Sequence, residues 1–318
     1  MILITGGLGL LGSRIADNLI HKGHQIRIAS RRRNDIILPK ELETSELVSI
    51  DLTDKESLDE ICKNISVIIH LASTNASTSL DRPNYALEIN GLGTFNLLEA
   101  AKKNNVNHFI YFSTAHVYSS PLTGFINEEI LTLPKHHYAI THKLAEDYVF
   151  QATSNSKINA TVFRLSNAVG SPILKDTNCW MLVVNDLVKQ VVSNRKMVFR
   201  SHQYEQRDFF PISDVCEAIN TDLIRQRSSK FELFNLGSSK SISLGELSEI
   251  ISKCTQEVLG FTPDVSFPKE TKNNNLESNT LIYSNEKMLN NGFKIEGDLR
   301  QEISNLLLNA NDWFTSEK

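Results

Sequence analysis

The sequence predicts an α/β protein built on a doubly wound parallel sheet. Three observations carry this expectation. The chain opens on a strand, a glycine turn and a helix within its first twenty residues; apolar strand segments and helices alternate from Ile2 to Phe112; and the fifth such segment, His108 to Phe112, is a near-continuous apolar run of the kind a sheet covered on both faces requires.

Met1 to Ile4 read as a short buried strand that Thr5 and Gly6 break, and Leu11, Ile15, Leu19 and Ile20 give the next segment one apolar helical face. Gly7, Gly9 and Gly12 fit G-x-G-x-x-G, and Gly6, Gly9 and Gly12 fit the wider T-G-x-x-G-x-x-G. At the junction of a strand and a helix, such glycines let a pyrophosphate approach the backbone N–H groups of Leu10 and Leu11, where the helix dipole favours an anion. An ordinary tight turn is the alternative. The second strand, Gln25 to Ala29, runs into Ser30, Arg31, Arg32 and Arg33, where a dinucleotide fold places its ribose-reading side chain. No acid stands there. Arginine suits a 2′-phosphate, so NADP(H) is the expected cofactor with NAD(H) as the alternative, unless the arginines form a solvated basic loop.

A third strand over residues 46–50 ends in Asp51 and Leu52, which can receive the adenine; Asp51 can equally cap the helix beginning near Lys55, as can Thr53 and Asp54. That helix reaches Cys62. Strand four, Val67 to His70, leads into Leu71, Ala72 and Ser73, small enough in part for a cofactor backbone to pass closely. A polar loop is expected from Thr74 to Asn84, then a helix through Asn90 to about Lys103. After strand five come Ser113-Thr114, a loop with Pro121, Gly124 and Pro134, a helix from Tyr138 to about Ala152, and strand six, Ala160 to Leu165. Asn273 to Asn275 lie in a polar run that reads as a surface loop.

With 33 basic against 37 acidic residues, 41% hydrophobic and 22% charged, the chain has the composition of a soluble globular protein, with nothing to suggest a nucleic-acid or membrane partner. The four cysteines form no C-x-x-C pair, and the nine histidines have no metal-ligand spacing, so no metal is expected. No run of apolar residues is long enough to span a membrane, and a first strand at Ile2 leaves no room for a signal peptide, so the expected location is cytoplasmic.

Taken in order, the glycine turn, Asp51-Leu52, His70-Leu71-Ala72, Asn90 with Gly93-Thr94, Ser113-Thr114, Tyr138, Arg164 with Asn167 and Gly170, Gln206-Arg207-Asp208-Phe209 and Phe234-Asn235-Leu236-Gly237 resemble the extended short-chain dehydrogenase/reductases, and within them the NAD(P)-dependent nucleotide-sugar epimerases, dehydratases and reductases. The resemblance implies a Rossmann domain over 1–165, with segments at about 211–237 and 286–318 returning to it. It implies a smaller mixed substrate domain from 166–210 and 238–285. It implies a nucleotide-diphosphate sugar as substrate, Thr114, Asn167 and Arg207 near it, and Asn90, Tyr138 and residue 142 near the cofactor. It also implies a homodimer formed through Tyr85 to Lys103 and Tyr138 to Ala152.

In that family a tyrosine moves the proton, a lysine four residues later lowers its pKa, and a serine or threonine steadies the substrate oxygen. Tyr138 and Thr114 match; the fourth residue on is His142, followed by Lys143. A helix turns about 100° per residue, so position i+5 faces away from i while i+4 lies above it, and only a bulge would bring Lys143 round. A mostly neutral imidazole leaves a more basic tyrosine, which hinders oxidation more than reduction. Hence the leading expectation is an NADPH-dependent reductase of a 4-keto-6-deoxy nucleotide sugar. The alternatives are a nucleotide-sugar 4-epimerase with retained NAD(P) and a non-catalytic NADP(H)-binding sensor or scaffold. His136 and His137 touch substrate or face water, and Arg207 either meets the diphosphate or pairs with Asp208 or Asp214.

Overall fold

The protein is described by a computed structural model over residues 1–31, 36–154, 156–269 and 280–315. We label the strands of its large sheet β1–β7 and its longer helices α1–α8; shorter elements are given by residue range. The first half alternates as expected: β1 (Ile2–Thr5), α1 (Leu10–His21), β2 (Ile26–Ser30), β3 (Glu46–Ser49), α2 (Lys55–Ile61), β4 (Val67–His70), α3 (Gly93–Lys103), β5 (His108–Thr114), α4 (His137–Ser154) and β6 (Asn159–Leu165). Then follow α5 (Val183–Asn194), α6 (Ile212–Ile224), β7 (Phe231–Leu236), α7 (Leu244–Leu259) and α8 (Leu299–Thr315).

The large sheet has seven strands in the order β3-β2-β1-β4-β5-β6-β7, every neighbouring pair parallel. The order reverses between β1 and β4. At that point the loops leaving two adjacent strands diverge to opposite faces and open a crevice at the carboxyl ends. Every residue of β5 is buried, in keeping with helices on both faces, whereas β3, at the edge, is half-buried. One apolar cluster joins α1 and α6 to one face of the sheet, and a second joins α2, α3 and α4 to the other.

The β1–α1 turn is crowded. Gly6 adopts φ +68°, and a β-carbon on Gly12 would lie 2.3 Å from the Gly6 carbonyl oxygen and 2.7 Å from the Gly7 α-carbon. At Gly9 a β-carbon would meet only the Gly6 carbonyl, at 3.1 Å. Gly6 and Gly12 are therefore demanded by the backbone itself, while Gly9 borders open space.

Beyond the sheet, strands Asn167–Val169, Gln206–Pro211 and Ser241–Ser243 form a three-stranded sheet, and Lys196–Val198 pairs with Asp264–Ser266. A separate core unites α5, α7 and α8 through Val188, Met197, Phe209, Leu247, Ile251 and Leu306. Here the structure differs from the sequence reading, which returned 286–318 to the large domain. Met288 and Phe293 do pack there, but α8 gives Ile303, Leu306, Leu307 and Ala310 to the second core. Only its first turns are tied back, by buried Glu302, which accepts from both terminal nitrogens of Arg14 in α1 and from the Ser213 N–H.

Other boundaries shift for local reasons. The expected polar loop from Thr74 to Asn84 contains a helix, Ala76–Asp81, because Asn75 accepts from the Thr78 N–H and caps it. The helix through Asn90 is not regular: Pro83–Ala86 passes into a π-helical stretch, Leu87–Leu92, before α3 begins. Asp54, not Asp51, caps α2, accepting from the Glu56 and Ser57 N–H groups. Within the expected loop after β5, Gly124–Ile126 pairs in parallel with Leu281–Tyr283. The polar run around Asn273 lies outside the described residues. No described helix is long and apolar enough to cross a membrane.

Replacing Gly12 with alanine is expected to lower stability by about 1–3 kcal/mol, because a β-carbon there must displace backbone rather than a side chain. Gly9→Ala should stay within about 1 kcal/mol. Equilibrium denaturation of both variants beside the parent measures the difference; equal losses would contradict the packing described.

Candidate active site

Two features of the structure fit a dinucleotide, the first of them at the crevice between β1 and β4. The first is the α1 N-terminus: Gly9 provides no capping side chain, no acid occupies the first turn, and the first intrahelical bond runs from the Ser13 N–H to the Gly9 carbonyl. The N–H groups of Leu10, Leu11 and Gly12 thus face the crevice end of the helix beside the open side of Gly9, a cradle that an anion fits. The second is an orphaned nitrogen at His142, described below.

Around that cradle, Leu71 and Ala72 donate their N–H groups to Thr5 Oγ1 at 3.3 and 3.2 Å, which fixes the loop leaving β4; Ser73 is exposed beside them. At the adenosine end, Ser30 is buried, and exposed Arg31 donates to the Tyr85 hydroxyl at 2.7 Å. Arg32 and Arg33 lie outside the described residues. Asp51 accepts from the Thr53 N–H and hydroxyl, and these bonds, with help from Arg31, hold its carboxyl below the usual range. Leu52 is buried against Gly93, and Asn96 donates to its carbonyl.

Asn90 is buried in the π-helical stretch and already committed within the fold: its Oδ1 accepts from the Thr74 N–H at 2.8 Å, and its Nδ2 donates to Thr141 Oγ1 at 3.0 Å. Its side chain therefore ties the β4 loop to α4, so any contact with a cofactor runs through the segment it positions. A second buried chain runs beneath, from Thr5 through His70 to Thr94 and the Asn90 carbonyl.

Tyr138 lies in the first turn of α4, half-buried, with the Thr114 side chain at the end of β5 near enough to its hydroxyl to favour the ionised form. Thr114 Oγ1 also accepts from the His116 N–H at 3.3 Å, which opens a short 3-10 turn. α4 is regular through this region, so the fourth residue on from Tyr138 packs against it: the His142 and Tyr138 rings are 4.4 Å apart, edge to face. Lys143 points elsewhere and pairs with Asp147. His142 is buried, its Nδ1 is 2.7 Å from the Tyr111 hydroxyl, and its Nε2 has no partner among the described residues.

The electrostatics follow from burial. Desolvation, aided by nearby His136, pushes the His142 imidazole down to about 3, so it is neutral at physiological pH. Desolvation raises the Tyr138 phenol, which the nearby Thr114 side chain only partly offsets. Among the described residues no cation compensates beside it: Arg164, on β6, is held bidentate by buried Glu146, with bonds of 2.9 and 2.7 Å. Such a phenol is a proton donor at neutral pH and a reluctant acceptor.

His136 donates nothing to the helix; its Nδ1 accepts from the Ala139 N–H at 3.3 Å, its ring lies over Tyr138, and its edge meets His116. His137 is the exposed first residue of α4. On the opposite wall, Asn167 donates to the Asp208 carbonyl oxygen at 2.8 Å. Arg207 pairs with neither Asp208 nor Asp214 but with Glu205, at 2.6–2.8 Å and half-exposed, because Asp208 is buried on Ser166 and Ser238 and Asp214 on the N–H groups of Glu296 and Gly297. Sequence reasoning missed Tyr111. Its signal was the one hydroxyl within the expected strand His108 to Phe112, since a buried phenol O–H needs a partner.

A glycine-lined helix terminus at a parallel-sheet switch point is the arrangement of the Rossmann-fold class of dinucleotide-binding proteins. The NAD dependent epimerase/dehydratase family model matches residues 2–237, and the chain belongs to that family. It is 27% identical over 314 residues to a putative UDP-glucose 4-epimerase of Methanocaldococcus jannaschii, covering 96% of this chain and 97% of that one. Among solved structures, the Thermotoga maritima UDP-glucose 4-epimerase with UDP-glucose superposes with a TM-score of 0.81 at 20% identity, over 99% and 98% of the two chains. The Thermus thermophilus UDP-glucose 4-epimerase complex with NAD gives 0.79 at 21%, over 97% and 98%.

His70, His108 and His142 are held neutral by burial, at about 3, 2 and 3 against an ordinary 6.5. The unfolded chain binds the protons that the folded chain refuses. Their contribution is therefore complete above about pH 6.5 and is lost as pH falls toward about 3, each histidine adding up to about 1.4 kcal/mol per pH unit. Denaturation midpoints measured from pH 8 to pH 5 should hold level above about 7 and then drop; a midpoint that rises on acidification would contradict the neutral assignment.

Proposed function

We propose that the protein is a nucleotide-sugar epimerase, acting at a carbinol carbon of a nucleotide-diphosphate sugar and keeping its pyridine dinucleotide through each cycle. The observation that carries this is Tyr138 at the head of α4, set near Thr114 and packed on His142, in a chain similar along nearly its whole length to a putative 4-epimerase. The reductase reading is the less well supported, because the relatives named above are epimerases. It retains one observation in its favour: a neutral His142 and a raised Tyr138 favour proton donation.

In this reading Leu10, Leu11 and the glycines hold the pyrophosphate, and Asp51 and Leu52 receive the adenine. The cofactor, when bound, supplies a hydride acceptor and donor beside the sugar. Tyr138, once ionised, would take the hydroxyl proton at its phenolate oxygen and return it from the phenol on the reverse step, with Thr114 steadying the sugar oxygen. His142 Nε2 offers a hydrogen bond where a cation would otherwise stand. Asn167 and Arg207 meet the nucleotide diphosphate, Arg207 by exchanging Glu205 for phosphate. The substrate domain comprises 166–210 and 238–285, with α8 added by its packing. Relatives are solved with NAD; among described residues, preference for NADP(H) rests on Arg31 alone.

A homodimer is part of the same proposal. Leu87, Leu92, Ile140 and Tyr148 expose apolar surface along the π-helical stretch and α4, and Phe95 packs on Tyr148 with rings 5.0 Å apart. Light scattering should give twice the chain mass for the parent and the chain mass for Leu92→Glu/Ile140→Glu; a monomeric parent would exclude the dimer.

Epimerisation should rise with pH beyond 8, as Tyr138 is harder to ionise than usual. His142→Lys should raise the rate at pH 7 by about tenfold for each unit by which it lowers the phenol, while Tyr138→Phe should abolish turnover and leave NAD binding intact. Interconversion of UDP-sugar 4-epimers, followed by anomeric proton signals without net cofactor reduction, tests all three. Stoichiometric loss of NADPH on a keto sugar, with no epimer formed, would instead establish the reductase.

A further inference from the structure

The hydrogen-bond geometry around His142 decides which of its two nitrogens carries the proton. Nδ1 lies 2.7 Å from the Tyr111 hydroxyl, and that hydroxyl has no other hydrogen-bond partner among the described residues. Both side chains are buried, at 3% exposure each. A hydroxyl can donate and accept, whereas each nitrogen of a neutral imidazole does only one. Were Nδ1 protonated, the Tyr111 proton would face an interior with no acceptor; with Nδ1 bare, the hydroxyl donates to it and is satisfied. The hydrogen then sits on Nε2, the one ring nitrogen left without a partner.

The same logic holds at the neighbouring His70. Thr5 Oγ1 receives the N–H groups of Leu71 and Ala72 and stands 2.6 Å from His70 Nδ1, so its own proton goes to that nitrogen. Nε2 then donates to Thr94 at 3.0 Å, and Thr94 passes its proton to the Asn90 carbonyl at 2.6 Å. His70 and Tyr111 also stack, with rings 5.7 Å apart. At His70 every donor finds an acceptor; at His142 the chain ends on an unmet N–H beside Tyr138.

We propose that Tyr111 is a positioning residue that locks His142 as the Nε2–H tautomer, so that the chain presents one fixed, uncharged donor to a ribose hydroxyl of the bound pyridine dinucleotide. The proposal rests on the dinucleotide-binding part of the function proposed above and not on epimerisation. It makes the pair Tyr111–His142 one unit: the imidazole makes the contact, and the phenol chooses which edge of it can donate.

Nitrogen-15 labelling of histidine tests this on the cofactor-free full chain at pH 7.5, with His142→Gln identifying the resonances. The parent should show a protonated Nε2 and a bare Nδ1, and NADH should move the Nε2–H signals while Nδ1 stays. Tyr111→Phe, checked for an unchanged fold by its melting curve, should populate the Nδ1–H form and weaken NADH binding by about 3- to 10-fold, the loss of one oriented hydrogen bond. Protonation on Nδ1 in the parent overturns the proposal, as does a Tyr111→Phe protein with its tautomer or its affinity unchanged. Should that variant not fold, the parent's response to NADH decides. A chain that meets these expectations but turns over no sugar refutes the activity proposed above and leaves this inference standing.

Discussion

The carbonyl oxygen of Gly6 occupies the place a side chain on Gly12 would need, 2.3 Å from its β-position. From this contact the amino-terminal half takes its form. Because the turn closes backbone on backbone, α1 starts immediately over the end of β1, its first N–H groups uncapped and turned toward the crevice where the sheet order reverses. Apolar burial along α1, through Leu10, Ile15 and Leu19, secures the helix in that direction. The packing requirement at Gly12 and the open edge at Gly9 are thus two sides of one geometry, the first making the site rigid and the second making it accessible.

Chemistry at the other end of the crevice is governed by desolvation rather than charge. Ionic groups near α4 are satisfied elsewhere: Arg164 by Glu146, Lys143 by Asp147, Arg207 by Glu205. What remains around Tyr138 is a set of neutral donors and acceptors, namely Thr114, His136, His142 and, behind it, Tyr111. Such a site orients by hydrogen bonds and leaves the phenol basic. In the function proposed, the positive charge that assists its ionisation would come from the cofactor, since none of the described residues supplies it. The π-helical stretch containing Asn90 belongs to the same arrangement, since Asn90 clamps the β4 loop to Thr141, one residue before His142.

Much of this was legible in the sequence where the signal was local. The strand–glycine–helix opening, the alternation through β5, and the four-residue step from Tyr138 to His142 depend on neighbours within a few positions, and backbone periodicity alone places them. The rest depends on contacts between distant segments. Gly124–Ile126 and Leu281–Tyr283 are three-residue strands that exist only because they pair with each other. The partner of Arg207 turned out to be Glu205 because burial had already claimed Asp208 and Asp214. α8 joined the second core because its apolar face met α5 and α7 rather than the large sheet. The helix at Ala76–Asp81 was hidden by serines and threonines that read as loop, although Asn75 was in place to cap it. The hydroxyl of Tyr111 was a signal in the sequence, but its partner, 31 positions away on another element, could not be read from it.

We infer that this chain cradles a pyridine dinucleotide and meets its ribose with a neutral histidine instead of a lysine. A crystal structure of the protein with NAD and a UDP-sugar tests it most directly. The pyrophosphate is expected on the N–H groups of Leu10 and Leu11, and His142 Nε2 within about 3 Å of a nicotinamide-ribose hydroxyl. Lys143 rotated inward to make that contact, or a nucleotide bound away from the β1–β4 crevice, would contradict it.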